Sequence, residues 1–427
     1  MGNLGTGLRI ASPRPEREAP RLDRATLPTQ VIRRATPRSS RAGEMLQLVR
    51  HGHAETITEL AKAVGLARST VTERVEALQR LNLLIPAGET SPGRGRPAGR
   101  LAFNTKAGVT LAAHVGMSGT MLAVTDLAAR VEWHTQIHLD VSHGPDALFT
   151  LLSSQFAAAL DELGRTPGDV VGVGVGLPGD VEIASAQPPT GLNHPWDEQA
   201  LADRLADRFN SIAIVDRDVN LMAIGEHRHS WPNSDVFMCL KVGTVIACGL
   251  VIAGQVVRGA AGLLGEIGHT KIHGADLPCA CGSRGCLNTV AGGSALANQL
   301  SEAGIEAHKA RDVAALANSG NVPAGQAVRD AGRSIGEVMA GAINLLNPDV
   351  LTIWGYLVDG GDQFLAGLQE SVYRAALPTS ARSVTIARAQ LGDDLGIRGA
   401  ALTVIEEALQ PDRIDHLVDN LETRLRA

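Results

Sequence analysis

The strongest constraint on how this chain folds is one short segment that gathers a histidine and three cysteines. The segment runs from His269 through Cys279 and Cys281 to Cys286, and the residues among its cysteines include glycine, serine and arginine. Thiolate and imidazole donors suit tetrahedral Zn²⁺, and four protein ligands leave no open position for a catalytic water. The pattern therefore predicts a structural zinc site in a loop over residues 269–286. The alternative is a group of reduced core thiols, which the glycine and arginine in the loop disfavour.

A run of glycines around this segment carries a family signature. The signature consists of Val242-Gly243-Thr244, Gly249, Gly254, Arg258-Gly259, Gly262, Gly265-Glu266-x-Gly268-His269 and the Cys-x-Cys-Gly-x-x-Gly-Cys run. It resembles that of the ROK family, which comprises sugar kinases and sugar-responsive repressors, and the resemblance spans roughly residues 105–410. The resemblance implies an α/β fold, an actin/hexokinase-like (RNase H-like) body of two lobes with a sugar site in the cleft.

The charge of the chain divides it into unlike regions. Residues 1–104 hold 17 Lys and Arg against 9 Asp and Glu, whereas residues 105–427 hold 22 against 36. A basic front on an acidic body predicts that only the front meets a polyanion. We therefore expect a disordered basic arm over residues 1–38, a winged helix-turn-helix domain over residues 39–104 and a ROK-type, two-lobed, sugar-sensing domain over residues 105–427.

Cysteine usage and hydropathy predict the compartment. Cys239 and Cys248 lie in apolar, strand-like contexts, and we expect them to be buried free thiols, which fit a reducing cytoplasm. The chain has no run of 18 apolar residues and its N-terminus lacks the apolar core of a signal peptide. We therefore expect a soluble cytoplasmic protein with no membrane partner.

Residues 39–104 show helical periodicity followed by a pattern typical of a hairpin. Three amphipathic helices are predicted, with inward positions at Met45, Leu46 and Val49, at Leu60, Ala61 and Val64, and at Val71, Val75 and Leu78. Thr58 is predicted to cap the second helix, and Gly65 to end it. Two short strands are predicted at residues 83–87 and 100–103. This arrangement predicts a winged helix-turn-helix, which binds DNA.

The predicted DNA-contacting residues lie at the start of the third helix and at the tip of the wing. They are Arg68, Ser69, Thr70, Thr72, Glu73, Arg94 and Arg96. Residues at the start of such a helix read base edges in the major groove, and we expect Arg68, Ser69 and Thr72 to carry the sequence readout. Arg94 and Arg96 stand on a slim backbone that suits a narrow minor groove. The plainer interpretation of the wing is a mobile hairpin with incidental charge.

Four positions depart from the residues that the family's kinases use for nucleotide and metal. His114 stands where those kinases carry a carboxylate, and imidazole is a poor ligand for Mg²⁺. Val245 and Ala247 replace glycines of a phosphate loop, which would place Cβ atoms where phosphate oxygens lie. Tyr356 replaces the second glycine of a nucleotide-side turn. We therefore expect that ATP binding and kinase activity have been lost.

The residues on the sugar side match the family more closely. By this resemblance the ligand-binding set is Asn193, Arg217, Asp218, Glu266, His269 and Asn288. Asp218 aligns with the general base of the kinases, and His269 would couple the metal loop mechanically to the ligand pocket. Arg217 and Asn288 replace an amide and a carboxylate, which makes the cleft more positive and favours an acidic, phosphorylated or unusually substituted sugar. Alternatively, Arg217 pairs with Asp216 and sugar sensing is weakened or lost.

Together these patterns predict a DNA-binding transcriptional regulator, a repressor of carbohydrate metabolism genes that responds to a sugar or sugar derivative. We expect a homodimer or homotetramer on double-stranded operator DNA with an inverted repeat. A ROK sugar kinase with a fused DNA-binding domain and a ligand-independent regulator are the alternatives. The terminal helix from Asp412, with an apolar face of Ile414, Leu417, Leu421 and Leu425, is expected to pack on the front domain, on another subunit or in the core.

Overall fold

The computed structural model describes residues 40–87, 99–116, 119–138, 143–179, 197–359 and 361–426 of the 427-residue chain. The predicted arm over residues 1–38, the wing-tip residues Arg94 and Arg96, and the predicted ligand residue Asn193 lie outside the described residues.

The front of the described chain consists of three helices and a two-stranded antiparallel hairpin. The elements are α1 (Ala42–Arg50), α2 (Ile57–Val64), α3 (Arg68–Arg80), β1 (Leu84–Ala87) and β2 (Arg100–Phe103). The predicted inward residues are buried in one shared core, with Ala61 partly buried at its edge. The predicted helices and strands of the front segment are confirmed.

The start of α2 differs from the prediction by two residues. Thr56, not Thr58, is the N-cap: its hydroxyl accepts from the Glu59 backbone N–H at 3.2 Å, and the Glu59 carboxylate accepts from the Thr56 N–H at 3.0 Å. This reciprocal arrangement satisfies two otherwise unpaired donors. Gly65 ends α2 with a φ of 69°, a left-handed conformation that glycine adopts readily.

The first lobe is built on a five-stranded mixed sheet. Its elements are β3 (Val109–Gly116), β4 (Gly119–Thr125), β5 (Val131–Ile137), α4 (Gly144–Glu162), a 3₁₀ turn (Pro167–Asp169), β6 (Val170–Leu177), α5 (Glu198–Phe209) and β7 (Ile212–Arg217). The strand order is β5-β4-β3-β6-β7. The first three strands form an antiparallel meander, and β6 and β7 run parallel to β3.

The second lobe repeats this plan with more helices. Its elements are α6 (Asp218–Ser230), β8 (Val236–Val242), β9 (Ile246–Ile252), β10 (Gln255–Val256), a 3₁₀ turn (Ile267–His269), α7 (Asn288–Ala291), α8 (Gly293–Glu302), α9 (Ala310–Asn318), α10 (Val322–Leu346), β11 (Val350–Trp354), α11 (Tyr356–Asp359), α12 (Gln363–Ala375), α13 (Pro378–Ser383) and β12 (Thr385–Arg388). The strand order is β10-β9-β8-β11-β12, with the same directions as in the first sheet. The prediction of two α/β lobes is confirmed.

A 3₁₀ turn (Gly392–Asp394) leads into α14 (Leu395–Ala408), and α15 (Pro411–Arg426) ends the described chain. Helices α6 and α14 cross where the lobes meet. α14 packs on β3 and β6 of the first sheet, and α6 packs on β8 and β9 of the second. Their backbones come so close that a Cβ at Gly399 would overlap the carbonyl oxygen of Leu221. Glycine is required there, and the crossing forms a tight joint between the lobes.

The front helices are packed against the body along a surface that we call the seam, the contact of α1 and α3 with α14 and α15. Ile414 and Val418 of α15 are buried in the same apolar cluster as the helix-turn-helix core, whereas Leu417 is 48% exposed. The buried Asp415 carboxylate accepts from the Ser40 hydroxyl at 2.7 Å and from the Gly43 N–H at 2.9 Å. Of the expected positions for the terminal helix, packing on the front domain is confirmed.

One carboxylate at the seam joins three helices. Glu406 of α14 pairs with Arg50 of α1 at 2.9 Å and with Arg228 of α6 at 2.5 Å. α6 begins at Asp218, a predicted ligand residue, and reaches Arg228 three turns later. The same helix therefore carries a predicted ligand residue at one end and is linked through Glu406 to α1 at the other.

The two cysteines outside the metal loop lie on neighbouring strands of the second sheet. Cys239 on β8 and Cys248 on β9 are buried free thiols, as predicted. Burial raises the pKa of the Cys248 thiol to about 12, so it stays protonated at neutral pH. In the part of the chain that the structure describes, no helix combines the length and the apolar character needed to cross a bilayer.

Candidate ligand cleft, metal centre and DNA-binding face

The predicted metal ligands converge in the loop between β10 and α7. One donor atom from each of His269, Cys279, Cys281 and Cys286 lies within 4.8 Å of all the others. The Cys281 and Cys286 sulfurs are 3.7 Å apart, and the His269 Nδ1 is 3.5 Å from the Cys279 sulfur. A tetrahedral Zn²⁺ with its usual bond lengths separates two sulfurs by about 3.8 Å and a sulfur from a nitrogen by about 3.5 Å. The donor set and its spacing therefore fit zinc.

A lysine beside the loop matches the charge that such a site would carry. Three thiolates, a neutral imidazole and Zn²⁺ have a net charge of about −1. Lys271 places its ammonium 2.9 Å from the Cys286 sulfur and 2.6 Å from the Ser283 hydroxyl. Cys286 is fully buried while Cys281 is exposed, so the loop lies at the surface and is anchored through its last cysteine.

Glu266 connects the metal loop to the cleft. Its Oε2 lies 3.6 Å from the Nε2 of His269, the ring nitrogen that faces away from the cysteines. Its Oε1 contacts the Nη2 of Arg217. A carboxylate behind a metal-bound histidine fixes the ring's orientation. Three predicted residues, Arg217, Glu266 and His269, therefore form one continuous line of contacts.

Arg217 occupies a nearly closed position between strand ends. Its side chain is 9% exposed, and its Nη1 donates to the carbonyls of Gly262 at 3.3 Å and Leu264 at 3.1 Å. The alternative pairing with Asp216 is wrong. The Asp216 carboxylate pairs with Arg258 at 2.6 Å, and what it accepts from Arg217 is the backbone N–H, not the guanidinium. The Arg217 guanidinium pairs with the Glu266 carboxylate instead.

Asp218, which the sequence places at the position of the kinases' general base, is held by a lysine and a histidine. The ammonium of Lys241 lies 2.6 Å from its Oδ2 and the Nε2 of His114 lies 3.4 Å away. Burial disfavours the charged carboxylate, but Lys241 and His114 outweigh burial and keep the pKa of Asp218 well below its usual range. Lys241 is not among the site residues predicted from the sequence. A lysine in an otherwise apolar strand, β8, was the available signal, since a buried ammonium needs a partner.

The space above Asp218 is small. The cavity has a volume of about 50 Å³, which is room for a few waters. Its lining includes His114, Lys241, Val245 and Tyr356, and the Tyr356 hydroxyl accepts from Arg311 at 2.8 Å. Ala247 lies in strand β9 opposite Lys241, not in a loop, so its predicted position against phosphate is corrected.

Among the described residues, the other predicted ligand residues do not line this cavity. Asn288 uses its side-chain oxygen to accept the Ile246 N–H at 2.8 Å, which fixes the start of β9. Asn288 and His269 line a larger cavity of about 720 Å³, while Arg217 lines a third of about 540 Å³. Four of the predicted ligand residues, Asp218, His269, Asn288 and Arg217, are thus divided among three cavities.

The start of α3 presents the predicted base-reading residues to solvent. Arg68, Ser69 and Glu73 are exposed and Thr70 and Thr72 are half-buried. The Thr72 hydroxyl donates to the Arg68 carbonyl at 2.9 Å, so it can offer a base only its acceptor lone pairs. Ala67 at the N-cap has no side-chain acceptor, which leaves the first N–H groups of α3 open toward a phosphate.

Comparison with known proteins supplies independent findings. The sequence pattern of the ROK family matches residues 110–407, and that of the IclR helix-turn-helix domain matches residues 40–85. The chain is 24% identical over 366 residues to the xylose repressor of Caldicellulosiruptor bescii, covering 82% of this chain and 92% of that protein. It is 30% identical over 278 residues to the glucokinase of Halalkalibacterium halodurans, covering 60% of this chain and 84% of that protein.

A solved structure has the same architecture. The crystal structure of a ROK family transcriptional regulator, a homologue of the E. coli MLC protein, matches with a TM-score of 0.73 at 22% identity. The match covers 89% of this chain and 99% of that one, and it shows that the fold is shared.

Proposed function

The chain belongs to the ROK family, and we propose that it is a DNA-binding repressor of carbohydrate metabolism genes whose body binds a sugar or sugar derivative. The helix-turn-helix of residues 40–85 and the xylose repressor that matches most of the chain support this proposal. We place the domain boundary at residues 104 and 105. The expected partners are double-stranded operator DNA with an inverted repeat and a second copy of the chain.

The observation that carries the proposal is that the Asp218 carboxylate is buried and ion-paired. A general base must be free to take a proton from a hydroxyl, and its proton affinity must suit that transfer. The Asp218 carboxylate is ion-paired with Lys241, is 3% exposed and has a strongly lowered pKa. Together with a cavity of about 50 Å³, this supports a receptor that has lost phosphoryl transfer.

Operator binding tests the DNA-reading part of the proposal. Selection from random DNA should yield an inverted-repeat site, and Arg68→Ala should weaken binding to it by about 1–3 kcal/mol with a smaller effect on random duplex. Arg80→Ala, which removes another exposed arginine at the opposite end of the same helix, is the matched control. Equal weakening on both DNAs would remove Arg68 from base readout, and absence of any DNA binding would contradict the proposal.

The kinase alternative rests on the glucokinase match. ATP turnover is measured over a panel of aldoses, with Asp218→Asn as the inactive control. We expect no sugar-dependent turnover, and phosphorylation that disappears in Asp218→Asn would favour the kinase. Thermal shifts with the same sugars address the ligand-independent alternative, because a ligand selective for the folded chain raises its Tm.

We further propose that His269, Cys279, Cys281 and Cys286 hold a structural Zn²⁺. The metal supplies a cross-link that fixes the loop, and Lys271 offsets the charge of the thiolates. His269 then holds Glu266, so the loop and the cleft move together.

A further inference from the structure

The guanidinium of Arg217 is incompletely satisfied. Its Nη1 and Nη2 have partners in Gly262, Leu264 and Glu266. Its Nε is buried and has no hydrogen-bond partner among the described residues. A buried donor without an acceptor is unfavourable, and in a native structure it calls for an explanation such as a missing ion or ligand.

The unpaired atom belongs to the edge of the guanidinium that binds acidic groups best. Nε and Nη2 together can donate two parallel hydrogen bonds to one carboxylate or phosphate. Glu266 contacts only Nη2 and so leaves the fork half used. Both atoms face the end of β6, since a Cβ at Gly179 would lie 3.7 Å from Nη2 and 3.9 Å from Nε. The Glu266 Oε1 lies nearest to this point, 3.1 Å from such a Cβ, so a ligand oxygen that reaches both nitrogens must take the place of that carboxylate.

The cavity beside Arg217 has room for a small ligand, and its wall carries the carboxylates of Asp197, Glu198 and Asp216 as well as two arginines. The adjoining cavity of about 540 Å³ is also lined by Arg258, and this volume suits a monosaccharide. Asp216, which shares the cavity, is already neutralised by Arg258. Asp197 on the same wall is engaged as the cap of α5, accepting from the Ala200 N–H at 2.9 Å. Arg217 also stands at the N-terminus of the 13-residue α6, where the helix dipole adds positive potential.

We propose that Arg217 is the anion-recognising residue of the effector site: a carboxylate or phosphate on the sugar pairs with its Nε and Nη2 and displaces Glu266. This inference rests on the proposed effector-responsive function and names the chemical class of the effector. Glu266 keeps its second contact, to His269, when it leaves Arg217. Ligand binding would therefore change, at the same time, the contact of Glu266 with the metal loop and the contacts of Arg217 at the start of α6.

The test compares acidic ligands with their neutral parents on the full, zinc-loaded chain. Calorimetry is run with glucuronate, glucose 6-phosphate, inorganic phosphate and glucose at constant ionic strength. We expect at least one anion to bind about tenfold tighter than glucose, and this preference to vanish in Arg217→Gln. The glucuronate and phosphate arms distinguish the two kinds of acidic group. Arg204→Gln is the control and should keep the preference, because this exposed arginine pairs with Asp146 and does not line the cavity.

A second variant guards against simple misfolding. Glu266→Gln removes the competing carboxylate, so we expect the anion to bind about tenfold tighter than to wild type, an increase that a merely structural role does not produce. The proposal is overturned if no anion binds wild type better than Arg217→Gln, or if Glu266→Gln weakens anion binding at unchanged zinc content. If the chain still binds its operator and a neutral sugar alters that affinity, the proposed function survives while this inference fails.

Discussion

The seam and the ligand cleft are held together by different forces. At the seam, Ile414 and Val418 are buried in an apolar core that includes the helix-turn-helix residues. In the cleft, three carboxylates are each held by a cation in what we call the cleft pairs: Arg217 with Glu266, Arg258 with Asp216, and Lys241 with Asp218. Apolar burial is lost gradually with exposed area, whereas an ion pair can exchange one partner for a ligand. The apolar contacts of the seam are therefore suited to a fixed interface, whereas the ion pairs of the cleft are suited to rearrangement when a ligand binds.

The largest effect should come from removing a ligand of the proposed zinc site beside the cleft. Cys286→Ser replaces a fully buried sulfur ligand, and we expect bound zinc to fall from one equivalent to a small fraction, with a loss of roughly 5 kcal/mol of unfolding free energy. Atomic absorption and denaturant unfolding measure the two quantities. Cys239→Ala, a buried cysteine outside the loop, should keep full zinc content. Full zinc in Cys286→Ser would exclude that residue as a ligand.

A cleft pair loses one partner in Lys241→Met. The change leaves Asp218 buried beside His114 alone, and we expect a loss of about 3–5 kcal/mol at neutral pH. In the wild type the pKa of Asp218 is lowered, so the pair stabilises the fold above the unfolded pKa of about 3.9 and this contribution is lost as pH falls through the folded value.

The pH dependence of the variant supplies its own check. Without the ammonium, burial raises the pKa of Asp218, so protonation relieves the variant. The stability difference between wild type and Lys241→Met should therefore shrink as pH falls from about 7 to 4. Lys62→Met, at an exposed position on α2, is the matched control. A difference that is constant with pH would show that Asp218 does not depend on Lys241.

Ile414→Ala tests the apolar packing at the seam. This change opens a cavity in the seam, and we expect a loss of about 2–4 kcal/mol in urea unfolding and faster proteolysis of the front helices. Leu417→Ala, on the same helix but 48% exposed, should change stability by less than about 0.5 kcal/mol. Equal losses in the two variants would mean that α15 does not pack on the front domain as described.

The smallest effect concerns the link between the two regions. A double-mutant cycle on Arg50→Gln and Glu406→Gln should give a coupling of about 0.5–1 kcal/mol, because both side chains are partly exposed. Arg228→Gln should alter that coupling, since Arg228 shares the same carboxylate. A cycle on Arg204 and Asp146, a pair on the far side of the first lobe, serves as the reference and should not respond to Arg228→Gln.

The features that could be predicted from the sequence are those that depend on residues a few positions apart. The helices of the front segment, the strands at residues 83–87 and 100–103 and the metal loop follow from spacing over a few residues. The N-cap of α2 was missed because Thr56 and Thr58 both suit that role, and only the reciprocal contact with Glu59 distinguishes them. Local patterning is thus sufficient for element type and weaker for boundaries.

The cleft pairs were beyond prediction because their partners are distant in sequence. Arg217 meets Glu266 across 49 positions and Arg258 meets Asp216 across 42, and no periodicity links them. Asn288 was predicted to bind ligand because of its place after the third cysteine, yet its oxygen caps strand β9. Arg217, Asp218 and Glu266 could be predicted from the sequence as cleft residues. Which cation pairs with which carboxylate could be seen only in the folded structure.

The way α1 meets the last two helices limits how this protein can be recombined. Gly43 lies so close to the backbone of Pro411 that any side chain there would collide with it, and Asp415 completes the hydrogen bonding at the same end of α1. A chimera that grafts a foreign DNA-reading head onto this body must therefore carry a matching C-terminal helix with it. The same restriction applies to natural recombination: an exchange of the N-terminal DNA-reading helices requires that the C-terminal helix be exchanged with them.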